Sequence, residues 1–403
     1  MSEASGLTVR PVPGVRLATV AAGIRKAGRP DLVVIEVSGG NAAAVFTRNA
    51  FCAAPVQVAR EHLTRAAPRY LLVNTGNANA GTGIQGLADA NSCTLAVAEA
   101  AGVTEAEVLP FSTGVIGEPL PVAPITAAIP ELLSSLSADG WADAARGIMT
   151  TDTRPKLCSA QADLDDVVVT VTGMAKGAGM LRPDMATMLA FIATDAAVAQ
   201  PVLDAILRGA VDRSFHRISV DGDTSTNDAC VLLATGAAGN DEIGDGDSEA
   251  ARALAEAVGD VCMQLAQGLV RDGEGASKFV AVSVSGGRHS DECLAVAFTI
   301  AHSPLVKTAL FASDPNWGRL LAAIGRAGIA DLEVETVSVR LNDVLIAEGG
   351  CRAGSYTEEA GAAAMAEADI RIDVDLGRGD ASETVWTSDF SYDYVRINAE
   401  YRT

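Results

Sequence analysis

The chain has 403 residues, 49% of them hydrophobic, which is enough for two cores or one large layered one and excludes a disordered polypeptide. Its formal charge of −21 is uneven: residues 1–186 carry 14 Lys+Arg against 17 Asp+Glu, residues 187–403 carry 16 against 34. An acidic surface repels phosphate backbones and anionic lipid, so the expected partners are small molecules or another copy of the chain, not nucleic acid or a membrane.

In chain order, the opening MSEASGLTVRPVPG lacks the basic then apolar run of a secretory signal, and the expectation is a cytoplasmic protein. Strand-like runs follow at 32–37 (LVVIEV), 43–47, 70–74, 108–112, 167–173, 188–196 (MLAFIATDA), 229–235, 279–286 and 336–341. Between them, apolar residues at i, i+3 and i+4 spacing predict helices over 87–101, 125–136, 202–212, 248–270 and 358–368. Mixed elements of this kind allow an α/β or a layered α+β fold. Residues 240–248 read as an exposed turn, and alternating large side chains from Tyr392 to Thr403 suggest a terminal strand docked into the fold.

Seven scattered cysteines without a C-x-x-C pair suit reduced thiols. Four histidines without paired spacing argue against a metal centre. Gly81-Thr-Gly83-Ile-Gln-Gly86 matches a dinucleotide fingerprint, but its strand ends several residues too early for that turn. Asp221-Gly-Asp223 and Asp245-Gly-Asp247 lack the Gly and Glu that complete a calcium loop.

The segment Lys176-Gly-Ala-Gly-Met-Leu-Arg-Pro-Asp-Met-Ala-Thr187 places a threonine where a glycine loop meets an apolar strand. If the Ala186–Thr187 bond is cut, the new α-amine lies beside the Thr187 hydroxyl. With an ordinary pKa near ~8, that amine can act as its base close to neutrality. The alternative is that Thr187 is simply the first residue of a strand.

KGAGMLRPDMATML closely resembles the autoprocessing segment of the ornithine acetyltransferase family, also known as bifunctional glutamate N-acetyltransferases of arginine biosynthesis. NTGNANAGTG (74–83), FSTGVIGEPLP (111–121), MTTDTRPK (149–156), DGDTSTND (221–228), RDGEGASK (271–278), SDPNWGRL (313–320) and NAEYRT (398–403) resemble further family blocks in family order. Asp184 departs from the pattern, which has Asn there.

The resemblance implies an α+β fold, a layered αββα sandwich similar to the N-terminal nucleophile hydrolases. It also implies self-cleavage into chains 1–186 and 187–403, assembled as a heterotetramer of two copies of each. Thr187 is then the nucleophile, Thr113 and Gly114 form the oxyanion hole, and Thr150 or Thr151, Lys176, Glu274, Asn398 and Thr403 bind substrate. Acetyl passes from N2-acetylornithine to glutamate through acetyl-Thr187; because it moves between similar amines, no cofactor is needed. Some members of the family also take acetyl-coenzyme A as donor, and the sequence leaves that open. The competing readings are a Thr-dependent aminopeptidase or amidase of related fold, a dinucleotide-dependent oxidoreductase using Gly81–Gly86, and a non-catalytic acidic interaction protein.

Overall fold

A computed structural model describes residues 9–24, 28–164, 166–182 and 188–400. Ala186, Thr187, the divergent Asp184 and the terminal Thr403 lie outside the described residues. In chain order the strands are β1 (Val15–Val20), β2 (Leu32–Val37), β3 (Asn41–Phe46), β4 (Tyr70–Asn77), β5 (Val108–Val115), β6 (Lys156–Leu164), β7 (Val167–Lys176) and β8 (Leu189–Thr194). They continue with β9 (Ile218–Ser219), β10 (Ala229–Ala234), β11 (Phe279–Gly287), β12 (Ser338–Leu341), β13 (Val344–Glu348), β14 (Cys351–Arg352), β15 (Asp369–Asp375) and β16 (Ala381–Ser388).

The chain divides into two compact units, the first taking in Met1–Gly177, Pro183–His216 and Asp223–Leu269. In it, a four-stranded sheet ordered β1-β2-β4-β5 faces a five-stranded sheet ordered β3-β10-β8-β7-β6. The uninterrupted apolar runs of β2, β8 and β10 follow from this, since each is an inner strand buried on both faces. Between the sheets, Leu17, Val33, Leu71, Met174 and Val231 pack with Phe111 and Phe191, whose rings meet edge to face at 5.1 Å.

The outer face of the first sheet is covered by the helices Gly83–Ala101 and Val122–Ser134, which bury Val97, Ile125, Ile129 and Leu132 against it. The outer face of the second carries the helices Gln200–Arg213 and Glu249–Arg271; Gly173 of β7 leaves room for Val261 and Leu265. The layering is αββα, as the motifs imply.

The second unit takes in Ala178–Arg182, Arg217–Gly222 and Val270–Thr403. Its seven-stranded sheet is ordered β14-β13-β12-β15-β11-β16-β9 and packs its apolar face on the helices Ser290–Ala301, Pro304–Phe311, Trp317–Gly325 and Glu358–Ala366. Among the described residues, no single helix is long and apolar enough to cross a membrane.

The C-terminal segment corrects the expected strand: Tyr392–Ala399 is a helix. Ser391 Oγ caps it by accepting the N–H groups of Asp393 and Tyr394, and Arg396 pairs with Asp393 one turn earlier. The alternation of large side chains did not mark a buried face, because Tyr392 and Val395, three apart, are both exposed.

Candidate active site

The polar cluster of the first unit lies where the backbone ladder loosens. β4 and β5 run parallel with Thr75 opposite Thr113, and the register slips at Gly76–Asn77. Gly114 sits at this slip with φ +140°, where a Cβ would overlap the Gly76–Asn77 backbone, so glycine is required. Thr113 and Gly114 are left half-buried at the end of β5, the predicted oxyanion-hole pair side by side.

Lys176 ends β7. It is buried, and its Nζ donates to Thr113 Oγ1 at 3.2 Å across 63 positions of sequence. Beneath it lies an ion pair that the sequence reading did not single out: Asp152 Oδ1 accepts from Lys156 Nζ at 2.5 Å, with both side chains almost inaccessible. The other partners of Asp152 are backbone, the N–H of Gly177 at 2.8 Å and that of Thr150 at 2.9 Å. Burial by itself pushes the Asp152 carboxyl up; Lys176, Lys156 and the Gly177 N–H outweigh it and hold the group at about 2. Thr150 is thus tied to the Lys176 strand through Asp152, while Arg29 fixes the carbonyls of Met149 and Thr150 at 2.9 and 3.2 Å. Thr151 is half-buried next to it.

The start of β10 adds a second set of buried polar groups. Asn227 Nδ2 donates to the carbonyls of Ala78 at 2.6 Å and Ser112 at 2.9 Å, locking β10 to the strand end that presents Thr113. β10 pairs parallel with β8, Ala229 opposite Leu189, and the Ala229 N–H donates to the Met188 carbonyl at 3.1 Å. Asp228 is therefore beside Met188, and its carboxyl accepts the Met188 N–H. Both residues stand in the DGDTSTND block, but their burial depends on three strands converging and has no local signature.

In the second unit, Glu274 is buried and held from two sides. Its N–H donates to the Ala178 carbonyl at 2.8 Å, and its Oε2 accepts from Asn398 Nδ2 at 2.7 Å. A Cβ at Gly179 would collide with the Glu274 carboxylate, which accounts for the second glycine of K-G-A-G. Asp221 accepts the N–H groups of Met180 at 2.6 Å and Leu181 at 2.8 Å, and Tyr394 Oη donates to it at 3.3 Å. The C-terminal helix thus supplies Asn398 to Glu274 and Tyr394 to the aspartate that orders the run after Gly179.

The fingerprint at Gly81–Gly86 is closed by its own side chains. Thr82 Oγ1 donates to Asn79 Oδ1 at 2.8 Å, and Asn79 Nδ2 donates to the Gly86 carbonyl at 2.9 Å, which is an N-terminal turn rather than an open phosphate cradle.

The sequence model of the ArgJ family matches residues 16–403. An arginine biosynthesis bifunctional protein ArgJ of Pseudomonas syringae pv. tomato is 58% identical over 396 residues, 98% of each chain; that of Pseudomonas fluorescens is 56% identical over 397 residues, again 98% of each. Among solved structures, the arginine biosynthesis bifunctional protein ArgJ from Bacillus halodurans is 38% identical, covering 51% of this chain and 96% of that one with a TM-score of 0.48. By this match along nearly its whole length, the chain belongs to the ArgJ family.

Proposed function

We propose that the chain is a glutamate N-acetyltransferase of arginine biosynthesis that moves the acetyl group of N2-acetylornithine to glutamate through Thr187. The observation that carries the reading is the family match over residues 16–403, joined to the Lys176–Thr113 hydrogen bond at the end of β5. An ammonium can only donate, so Lys176 occupies a lone pair of Thr113 Oγ1 and leaves the hydroxyl hydrogen for a developing oxyanion. The Gly114 N–H is the second donor.

Thr187 Oγ attacks the acetyl carbonyl while its proton passes to the α-amine. The C–N bond breaks, and ornithine leaves with that proton on its own nitrogen. The glutamate amine then attacks the acetyl ester, and Oγ recovers a proton as N-acetylglutamate departs. In the second unit, Glu274 suits the side-chain ammonium of ornithine, with Asn398 fixing the carboxylate. Thr150 or Thr151, Lys176 and Thr403 supply the remaining substrate contacts in this proposal.

The topology supports cleavage at Ala186–Thr187 without dissociation. β8 and β10 come from 187–403, yet lie inside a sheet whose other strands come from 1–186. β7 and β8 pair from Val171–Thr194 to Lys176–Leu189, so the two products stay hydrogen-bonded along a whole strand. Two copies of each fragment in a cytoplasmic heterotetramer complete the proposal.

The test is incubation of purified protein with acetylornithine and glutamate. N-acetylglutamate with little free acetate is the expected product; acetate release without dependence on glutamate would instead identify an amidase. Replacing acetylornithine by acetyl-coenzyme A in the same assay reads the second activity.

A further inference from the structure

The motif Asp221-Gly-Asp223 has no part in the proposed chemistry, yet Asp221 is bonded to both segments that flank Glu274. The first is the run 178–181, whose Ala178 carbonyl accepts the Glu274 N–H and whose Gly179 lies against the Glu274 carboxylate. Met180 takes φ +50° there, a left-handed backbone that a residue with a Cβ keeps only where its surroundings hold it. Asp221 does the holding: its Oδ2 accepts the Met180 N–H at 2.6 Å and its Oδ1 the Leu181 N–H at 2.8 Å, while the Val220 N–H donates to the Leu181 carbonyl at 2.6 Å. The second segment is the helix Tyr392–Ala399. Its Tyr394 Oη donates to Asp221 Oδ2 at 3.3 Å, and one turn on Asn398 Nδ2 donates to the Tyr394 carbonyl at 3.0 Å and to Glu274 Oε2 at 2.7 Å. The tie is anchored, since β9, two residues before Asp221, pairs with β16, and the Tyr394 ring stacks on Phe390 at 4.7 Å.

Resting on the reading of Glu274 as the acceptor of the ornithine ammonium, we infer that Asp221 is a positioning residue that sets the preference for a donor with a charged side-chain amine. Glu274 is buried, and among the described residues no cation pairs with it; neutral groups alone hold it in place. A charge-assisted hydrogen bond to an ammonium is strong only with the nitrogen at about 2.7–2.9 Å from the oxygen, so the preference depends on how firmly the carboxylate is placed. Asp221 makes no hydrogen bond to Glu274 itself and acts through the two flanking segments. Without its carboxylate, Met180 loses the partner that keeps its left-handed turn, and the C-terminal helix loses the tie one turn from Asn398. The ammonium end of the donor is then held less well. Thr113 and Gly114, which the acetyl end requires, stand on β5 and share no hydrogen bond with Asp221 among the described residues.

The test compares two donors in the full-length protein, N2-acetylornithine and N2-acetylnorvaline, whose side chain ends in a methyl where ornithine carries its aminomethyl group. Asp221→Asn keeps the size of the side chain but leaves one acceptor for two N–H groups. Expected is a kcat/KM for acetylornithine lowered about tenfold, carried by KM with kcat within about threefold, and a kcat/KM for acetylnorvaline within about twofold of wild type. An equal fall for both donors would mean that Asp221 only supports the fold, and no change for either would mean that it positions nothing; each overturns the inference. Should the Asn variant not fold, Tyr394→Phe decides, because it removes one hydroxyl and keeps both backbone bonds of Asp221; a loss of about threefold confined to acetylornithine is expected, and an equal or absent loss overturns the inference. The wild type reports the underlying reading separately. Acetyl transfer with no preference between the two donors removes Glu274 as the ammonium acceptor and the inference with it, while transfer from neither donor removes the proposed function as well.

Discussion

Each unit buries lysine, and the two do it differently. In the first, Lys156 is bonded to Asp152, with Lys176 close enough to share that carboxylate's field. In the second, Lys307 on the helix Pro304–Phe311 is fully buried, and its Nζ donates to Thr387 Oγ1 at 2.9 Å and to the Ser388 carbonyl and lies 4.5 Å over the Phe390 ring. Burial lowers Lys307 to about 7, while Asp389 and Asp221 pull it back up without contacting it. Where a carboxylate is in contact, it holds Lys156 in the core beside the strand whose Lys176 donates to Thr113. Where only neutral groups are in contact, the cation gives up its proton easily and serves to tie a helix to the end of β16.

The largest expected effect follows from removing the shared carboxylate. Asp152→Ala removes the carboxylate that the buried Lys156 ammonium and the N–H groups of Gly177 and Thr150 share, and should cost about 3–5 kcal/mol in denaturant unfolding, the usual penalty for breaking a buried pair. A loss below about 1 kcal/mol would show that the pair is not desolvated as it stands. Next comes Thr113→Ala, which removes one of the two proposed oxyanion donors and should lower kcat by ~10²–10³ with little change in Tm. An unchanged kcat would take Thr113 out of the chemistry and leave Lys176 with a merely structural bond.

The pH dependence of stability sharpens the contrast. Asp152 titrates lower in the folded chain, at about 2 against 3.8, so its contribution is full above 3.8 and disappears as pH falls toward 2. Lys307 is also lowered, from 10.5 to about 7, so between those values the unfolded chain binds more protons and stability rises with pH. Urea unfolding at steps from pH 7 to pH 10 should show that rise, and Lys307→Met should flatten it; a slope unaffected by the substitution would contradict a neutralised Lys307. The smallest effect is expected at the partly exposed Asn398. Its replacement by Ala frees one hydrogen bond on Glu274, about 0.5–1.5 kcal/mol, and should raise the KM for acetylornithine severalfold while leaving cleavage complete.

The strands buried on both faces were legible because such burial leaves little room for polar residues. LVVIEV and ACVLLA announce themselves. β6 and β15 were not, since their exposed alternate residues, Gln161, Asp163, Asp369 and Arg371, dilute the apolar signal. The terminal helix was misread for the converse reason, large side chains at alternate positions of which Tyr392 points to solvent. In the site, Gly114 and Gly179 stand in the motifs, and only the structure shows what occupies the space that a Cβ at either would fill. Asp152 and Asp228 were visible only as letters in a motif. What makes them matter, a lysine four residues on in one case and a parallel strand pairing with Met188 in the other, is made by folding.

The central claim is that acetyl resides on Thr187 between donor and acceptor. Mass spectrometry of the protein after exposure to acetylornithine alone tests it most directly. The account predicts that the 187–403 fragment gains one acetyl group, mapped to its N-terminal Thr187 hydroxyl and released as N-acetylglutamate when glutamate is added. An unmodified fragment in a sample that still transfers acetyl when both substrates are present would mean direct transfer and would contradict it.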